Sequence, residues 1–596
     1  MAAVPRSGTP EKSSALPSAG PADPVGPAGG DAGLAESPGR APARRLLAAA
    51  AAVLAVALLF LAYLQVSRTY PENSDESNDL LMAWDMLHGN VLLHGWYLSD
   101  VSFLTTELPQ YLMLERFFGL HTDTAHIAAA MTYTLVMVFA VLLARGKAPG
   151  RQAWPRMLLT GGIMFAPQLG VGVFILLLSL GHIGTAVPLL LTWLVLDRFG
   201  GTDGASGVQR RWLAPVVVGV LLTWVLVADP LVLVVGIFPL VAVCALRVIR
   251  GVIAARRQAA PDSPDSPDSP GGHAGGRGWL LDGLTAQWFE VSLAAAAILA
   301  EGLALLAGRL LRASGAFILH PVPYHLAPLH TWPKHAWVAG EGLLAMFGAK
   351  PQGPPVELAF ALVHLAGVAL VVWAICRVAR HFFSWPDMVS QILLVAMVVN
   401  VLVYVPSTLA DATDLNAREF AVVLPFGAVL AGRTLAASLL GREASSRRWL
   451  RPALLAGLVV LAGYAASLGY AAAQPSVPAA NQRLATFLAA HYLTNGIGGY
   501  WESSVVTVGS DGAITIRAVV PGTLQLDLWE SKASWYDPGS HQATFLVTDS
   551  ASGFFNHWQP NSAALAALGP PARTYHDGPY TVYVWDKNLL VQLGRP

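Results

Sequence analysis

Charged side chains are scarce in this sequence of 596 residues, and their scarcity excludes an ordinary soluble protein. Asp, Glu, Lys and Arg together make up 12% of the chain, which is about half of their usual share in soluble domains. Hydrophobic residues make up 54%. This composition predicts a polytopic α-helical membrane protein. Basic and acidic residues balance at 37 each, so the net charge gives no indication of a nucleic-acid partner.

Cysteine is almost absent, and the sequence indicates no disulfide framework. Cys244 and Cys376 both lie inside apolar segments, where they say nothing about the redox compartment. Residues 1–43 are rich in Pro, Gly, Ala and Ser and lack any apolar period. We expect these residues to form a disordered cytoplasmic tail.

Apolar segments long enough to cross a bilayer recur from residue 44 to about residue 473. We expect this range to form the transmembrane domain. The predicted spans lie near 46–66, 125–144, 157–179, 183–197, 212–228, 230–247, 287–308, 355–376, 388–406, 420–437 and 452–472. They number eleven, and because the fourth and fifth are short, the number of crossings is open by one or two.

The basic residues between these segments predict how the chain is oriented. With the amino terminus in the cytoplasm, every inner loop is rich in Arg or Lys, namely 145–156, 198–211, 247–277, 377–381 and 433–451. The first outer loop, 67–124, is acidic. We therefore expect the carboxyl terminus outside a plasma membrane, and the Ala-, Gly- and Pro-rich composition suits a bacterial one.

Two long loops between the predicted spans contain no motif that indicates a catalytic role. The cytoplasmic linker 251–280 contains a low-complexity Pro-Asp-Ser repeat. The external loop 309–354 is predicted to hold a half-buried interfacial helix. Its four histidines recur every five residues, which is not the helical spacing of metal ligands. They are His320, His325, His330 and His335. We interpret them mainly as interfacial loop residues, with a metal site as the lesser alternative.

The segment 474–596 changes pattern and predicts a small extracytoplasmic α/β domain. Helices are predicted at 481–493 and 560–568, and strands at 503–508, 513–519, 543–548 and 580–585. The segment has no Gly-rich phosphate loop and no triad-like spacing. Its aromatic residues are expected mainly in the core, with a sugar-stacking surface as the alternative. They include Trp501, Trp529, Trp535, Tyr536 and Trp558.

An acidic helix follows the first apolar segment. From Asp75 onward, Leu80 and Trp84 share one face of an amphipathic helix, and Asp75 and Asp79 lie on the other. A carboxylate held just above a bilayer is well placed to act as a general base on a lipid-borne substrate. The alternative is that Asp75 or Ser77 simply caps the helix.

Three stretches of the sequence resemble the GT-C superfamily of integral membrane glycosyltransferases, of the protein O-mannosyltransferase and aminoarabinose-transferase type. Ser74–Asn90 resembles the first external loop of that family, in which an acidic pair precedes a helix. Glu107–Gly119 is similar to its juxtamembrane segment, although Glu107-Leu-Pro stands where Pro-Pro is common. Asn416–Pro425 resembles the start of a late helix in these enzymes.

This resemblance implies an enzyme that moves a sugar from a polyprenyl-phosphate donor to an acceptor hydroxyl, with inversion at the anomeric carbon. It also implies that Asp75 is the general base, with Glu76 as the second candidate. Asp79, Asp100 and Glu107 are candidates to line the acceptor side or to hold a divalent ion, and metal dependence stays open. The acceptor could be a glycan, a protein or a lipid.

The leaving phosphate develops negative charge, which a cation near the bilayer surface would stabilise. Arg418 is the first candidate, because it lies on the outer side at the start of a membrane helix. A local pair with Glu419 is an equally good interpretation of Arg418. His182 and Lys334 are weaker phosphate-binding candidates, and both could be ordinary loop residues.

Two other classes of protein compete with the transferase. A multi-pass transporter is the first, but we find no internal repeat that relates the halves of the chain. A non-catalytic cell-envelope protein that retains the fold is the second. The acidic pair at Asp75 and Glu76 argues against it.

Overall fold

A computed structural model describes residues 40–148, 150–178, 182–200, 211–259, 283–322, 325–410, 413–440, 447–551 and 559–593. Residues 1–39 of the tail, the whole Pro-Asp-Ser repeat and Trp558 lie outside these ranges. The predicted boundary of the tail at residue 43 is wrong, because the first helix already begins at Arg40. The helices before residue 473 are α1 (Arg40–Ser67), α2 (Ser74–Leu87), α3 (Leu108–Phe118), α4 (Asp123–Arg145), α5 (Gly150–Ile163), α6 (Val171–Leu177), α7 (Ala186–Phe199), α8 (Leu213–Ala228), α9 (Phe238–Ala259), α10 (Trp288–Ala313), α11 (Trp332–Met346), α12 (Pro355–Arg380), α13 (Met388–Tyr404), α14 (Val423–Leu440) and α15 (Arg447–Ala472).

The chain is a polytopic helical membrane protein. Among the described residues, six helices are long and apolar enough to cross a bilayer, and three shorter helices are also apolar. Each segment predicted to cross the membrane is helical over part or all of its length. The periodic apolar runs therefore located the helices correctly.

One predicted crossing, at 157–179, is not a continuous helix. Helix α5 ends at Ile163 and α6 begins at Val171. Pro167 lacks the amide hydrogen that a continuing helix needs, and Gly170 has a φ of 77°, which glycine adopts without steric strain. Gln168 then stabilises the break, because its side chain donates to the Lys350 carbonyl and accepts from the Lys350 amide.

Helix α14 forms the centre of the helical core. Its residues from Val423 to Ala431 are all buried, and they pack against α4, α5, α12 and α13. An ion network follows this buried stretch of the helix. The Arg433 guanidinium donates to Asp197 at 2.7 Å and to Asp387 at 2.8 Å, which ties α14 to α7 and to the start of α13.

The segment after residue 473 forms helices α16 (Gln482–Ala490), α17 (Tyr500–Gly509), α18 (Ser562–Ala567) and α19 (Leu590–Leu593). The strands of the whole chain are β1 (Trp96–Leu98), β2 (Ile318–Leu319), β3 (Asn495–Gly498), β4 (Thr515–Ala518), β5 (Ser531–Lys532), β6 (Phe545–Asp549), β7 (Arg573–Asp577) and β8 (Tyr580–Val584). A mixed sheet has the strand order β4-β3-β6-β8-β7, with β3 parallel to β4 and β6 and the β6-β8-β7 edge antiparallel. Apolar side chains of α16 and α17 cover one face of this sheet.

A second, small sheet joins three distant parts of the chain. Strand β1 of the first loop pairs in parallel with β2 of the loop 309–354 and antiparallel with β5. Tyr97 is the shared point, because it lies opposite Ile318 on one side and Ser531 on the other. The carboxyl-terminal segment is thereby fixed against the first loop.

The strand predicted at 503–508 is wrong, because these residues belong to helix α17. The run is rich in β-branched residues, which favour strands. The helix nevertheless packs against α2, where the Ser504 hydroxyl donates to the Asn78 side-chain carbonyl. Packing against α2 outweighs the local preference of the sequence.

The ion network of Arg433 predicts a specific loss of stability. Arg433→Met leaves the partly buried carboxylates of Asp197 and Asp387 without their cation, which should lower the free energy of unfolding by about 2 kcal/mol. Titration of the purified protein with denaturing detergent, followed by tryptophan fluorescence, measures this loss. Arg380→Met, at an exposed position, is the matched control, and an equal effect of the two substitutions would contradict the role of the network.

Candidate active site

Helix α2 carries the acidic pair, and its amino terminus is closed by a capping box. The Asn73 side chain accepts a hydrogen bond from the Asp75 amide at 2.8 Å, and the Glu76 carboxylate accepts one from the Asn73 amide at 3.0 Å. The cap is therefore Asn73, not Asp75 or Ser77. Glu76 is fully buried, and burial, together with the charge of Asp75, raises its pKa to about 8.

Asp75 points away from the cap and is held by two donors. Arg418 Nη1 donates to its Oδ2 at 3.2 Å, and Tyr500 Oη lies 2.8 Å from its Oδ1. The side chain keeps 16% of its surface exposed. Asp75 is thus fixed in direction while one part of its carboxylate stays open to a small molecule.

Asp75 lies where two clefts meet. The aromatic cleft, of about 190 Å³, is lined by Asp75, Phe174, Leu415, Asn416, Arg418, Tyr500, Trp501 and Trp529. The acidic cleft, of about 80 Å³, is lined by Asp75, Ser99, Asp100, Val101, Phe103, His182, Arg418, Glu419, Trp529 and Glu530. Asp75, Arg418 and Trp529 belong to both. A molecule in either cleft therefore has access to the same carboxylate and the same guanidinium.

His182 lines one side of the acidic cleft and is bonded to two carboxylates. Its Nδ1 lies 2.7 Å from Asp229 Oδ2 and its Nε2 lies 2.9 Å from Glu419 Oε2. Burial opposes a charge on the ring, but the two carboxylates overcome it and raise the pKa of His182 well above its usual value. The ring is consequently an imidazolium that donates from both nitrogens, and it holds Glu419 in the wall of the cleft.

The sequence left two interpretations of Arg418 open, a phosphate-binding role and a local pair with Glu419, and its position is compatible with both. Its Nε lies 4.0 Å from Glu419 Oε1, so the local pair exists, but the closer partner is Asp75. The guanidinium keeps 33% of its side-chain surface exposed. It can therefore contact a ligand without first leaving its carboxylates.

The remaining predicted site residues are spread over different places. Asp100 lines the acidic cleft, whereas Asp79 is buried in α2 and lines neither cleft. Burial and then neighbouring carboxylates raise the pKa of Asp79. Glu107 lies in a separate cleft between α3, α4, α7 and α8, where burial raises its pKa to about 7. Lys334 is exposed near the start of α11 and lines neither of the clefts at Asp75.

The sequence did not point to Tyr500, Glu530 and Asn78 as site residues. Tyr500 Oη lies 2.5 Å from Glu530 Oε2, and Asn78 Nδ2 donates to Tyr500 Oη at 3.0 Å. A weak signal was available, because Tyr500 and Glu530 are each adjacent in sequence to a tryptophan that lines a cleft. Trp501 and Trp529 were expected in the core, but both line the aromatic cleft, whereas Tyr536 is fully buried.

Chemically, the site offers a base, a cation and flat apolar walls. Asp75 can accept a proton from a hydroxyl group, and Arg418 can bind a phosphate oxygen with a charge-assisted hydrogen bond. The aromatic residues offer faces for the C–H groups of a sugar ring. Within the described residues, no group of three or more His, Cys, Asp or Glu side chains is arranged to hold a metal ion.

No protein-family model matches the chain, and no curated protein sequence does. Solved structures match over most of its length. ArnT from Cupriavidus metallidurans, bound to undecaprenyl phosphate, matches with a TM-score of 0.47 and 12% identity, over 91% of this chain and 98% of that one.

An oligosaccharyltransferase of Archaeoglobus fulgidus also matches, at 14% identity over 83% of this chain and 69% of that one. Its TM-score is 0.43 with a tethered acceptor peptide and 0.44 in the apo form. Both neighbours are GT-C glycosyltransferases, the superfamily that the sequence resembles. With TM-scores of 0.47 or lower, these matches assign neither a family nor an activity to this chain.

Proposed function

We propose that this protein is a membrane glycosyltransferase that moves a sugar from a polyprenyl-phosphate donor to an acceptor hydroxyl on the outer face of a plasma membrane. The observation that carries the proposal is the position of Asp75, which lies between an aromatic and an acidic cleft with Arg418 on one of its oxygens. A base, a phosphate-binding cation and two adjoining substrate spaces are what such a transfer requires.

Asp75 acts as the general base in this proposal. The acceptor oxygen attacks the anomeric carbon while Asp75 takes the hydroxyl proton. A new C–O bond forms on one face of the sugar, and the bond to the phosphate oxygen breaks on the opposite face, so the configuration inverts. The polyprenyl phosphate leaves with the bonding electrons.

Arg418 has two successive partners. Without a donor it neutralises Asp75, which weakens that carboxylate as a base. The donor phosphate competes for the same guanidinium, which presents several donors in a planar fork. Binding of the donor thereby frees Asp75 Oδ2 for the acceptor and stabilises the charge of the leaving phosphate.

The two clefts suit different substrates. Trp501, Trp529 and Phe174 line the aromatic cleft and would pack against the sugar ring of the donor. Asp100 and Glu419 line the acidic cleft and would accept hydrogen bonds from the hydroxyl groups of the acceptor. In this arrangement His182 orients Glu419 and does not bind the phosphate.

The topology follows the charge distribution of the sequence. Arg- and Lys-rich loops lie on the cytoplasmic side, and the clefts open on the opposite side together with residues 474–596. These residues would form an extracytoplasmic domain, as the sequence predicts, and their role includes supplying Tyr500 and Trp501 to the site. Support for that role comes from the hydrogen bond between Tyr500 and Asp75.

Replacing the base tests the proposal. Asp75→Asn keeps the shape of the side chain but removes its basicity, so the rate of sugar transfer should fall by about 100-fold or more. The measurement uses the purified protein in liposomes with a panel of polyprenyl-phosphate sugars and glycan, protein and lipid acceptors. Asp586→Asn, at an exposed position, is the control. Unchanged transfer by Asp75→Asn would refute the assigned base.

Replacing the cation tests the donor site. Arg418→Met removes a charge-assisted hydrogen bond to the phosphate, which corresponds to a loss of about 10- to 100-fold in kcat/KM for the donor. Arg418→Lys should recover part of that loss, because it restores the charge but not the planar fork. Arg573→Met, which removes an exposed arginine of β7, should leave the donor kinetics unchanged. A loss confined to the acceptor kinetics would contradict this assignment.

A further inference from the structure

The hydroxyl of Tyr500 lies between two carboxylates and has only one proton to give. Its oxygen is 2.8 Å from Asp75 Oδ1 and 2.5 Å from Glu530 Oε2. An ionised carboxylate can only accept a hydrogen bond. Both contacts can be hydrogen bonds at the same time only if one of the two carboxyl groups carries a proton of its own.

The neighbours of each carboxyl group indicate which one holds that proton. Asp75 accepts a hydrogen bond from the Arg418 guanidinium, which favours its ionised form. Glu530 accepts hydrogen bonds from the Ser99 hydroxyl and from the Asn78 amide, which also donates to Tyr500 Oη. An amide stabilises a negative charge far less than a guanidinium does.

The carboxylates around Glu530 act in the same direction. Asp75 and Asp79 face it from α2, and Asp100 and Glu419 line the same cleft. Two cations also lie there, and each is already bonded to other carboxylates. Arg418 is bonded to Asp75, and His182 is bonded to Asp229 and Glu419. Burial and then the charge of Asp75 raise the pKa of Glu530 to about 7.

The backbone holds Glu530 in this place. Its φ of 46° is in the left-handed region, which is strained for a residue with a side chain. Strand β5 begins at the next residue and pairs with β1 of the first loop. The small sheet therefore fixes the side chain against Tyr500 at the expense of local backbone strain.

We propose that Glu530 is protonated in the working enzyme and, through Tyr500, is a positioning residue that keeps Asp75 ionised and correctly aimed. Glu530 donates to Tyr500 Oη and Tyr500 donates to Asp75 Oδ1, and this order persists after the donor phosphate has drawn Arg418 away from Asp75 Oδ2. This inference rests on the proposed role of Asp75 as the general base. It assigns to residues 474–596 a direct part in setting the state of that base.

The chain of hydrogen bonds has a consequence for the pH profile. Below pH 7 Glu530 holds its proton and the chain is complete. As the pH rises through about 7, Glu530 ionises and attracts the Tyr500 proton, so that Asp75 loses the Tyr500 donor. The kcat for sugar transfer should therefore fall on the alkaline side.

Glu530→Gln is the decisive variant, because its amide can donate to Tyr500 but cannot ionise. We expect it to keep kcat within about threefold of the parent at pH 6 and to move the alkaline limb upward by about one pH unit or more. Tyr500→Phe should lower kcat by about 10-fold or more with little change in the donor KM. Loss of activity in Glu530→Gln equal to that in Glu530→Ala, or an unchanged alkaline limb, would overturn the proposal.

An infrared measurement tests the proton without any assay of transfer. At pH 6, the difference spectrum between the parent and Glu530→Gln should contain the carbonyl stretch of one protonated carboxyl group. Absence of that band would refute a protonated Glu530 and leave the role of Asp75 intact. Its presence in a protein that transfers no sugar would instead refute the proposed function alone. Thermal unfolding of both proteins checks that the variant is folded.

Discussion

The carboxylate of Asp75 is the point on which the arrangement of the site depends. It is bonded to Arg418, 343 residues further along the chain, and to Tyr500, 425 residues further along. A partly buried charge needs such partners, because water no longer solvates it fully. The helix that carries Asp75, the turn before α14 and the start of α17 must therefore all be correctly packed before this carboxylate is oriented.

Several acidic residues are buried near Asp75, and their burial lowers the stability of the folded protein. Glu72, Glu76 and Asp79 are almost fully buried on or beside α2, and burial is the main cause that raises the pKa of each. Groups of this kind lower their desolvation cost by binding a proton. Asp75 differs because a guanidinium lies beside it. This pairing separates Asp75 from Glu76 and Asp79 on the same helix, and it makes Asp75 the candidate base.

Sequence patterns predicted much of the fold and a part of the site. Apolar runs predicted the positions of the membrane helices. The acidic segment predicted helix α2 and pointed to Asp75 as a candidate site residue. Arg418 followed from its position at the start of a helix. The prediction for residues 503–508 was wrong because their β-branched side chains are outweighed by packing against α2. Glu76 was paired with Asp75 in sequence, yet successive residues of a helix point in different directions, and Glu76 caps the helix.

Hydropathy and charge within short windows of the chain were enough to predict a helical membrane protein, most of its helices and its acidic segment. Which carboxylate opens into a cleft, and that Tyr500 and Glu530 stand beside it, is apparent only in the folded chain. Exposure and protonation are set by neighbours that lie hundreds of residues away, so no local pattern could encode them.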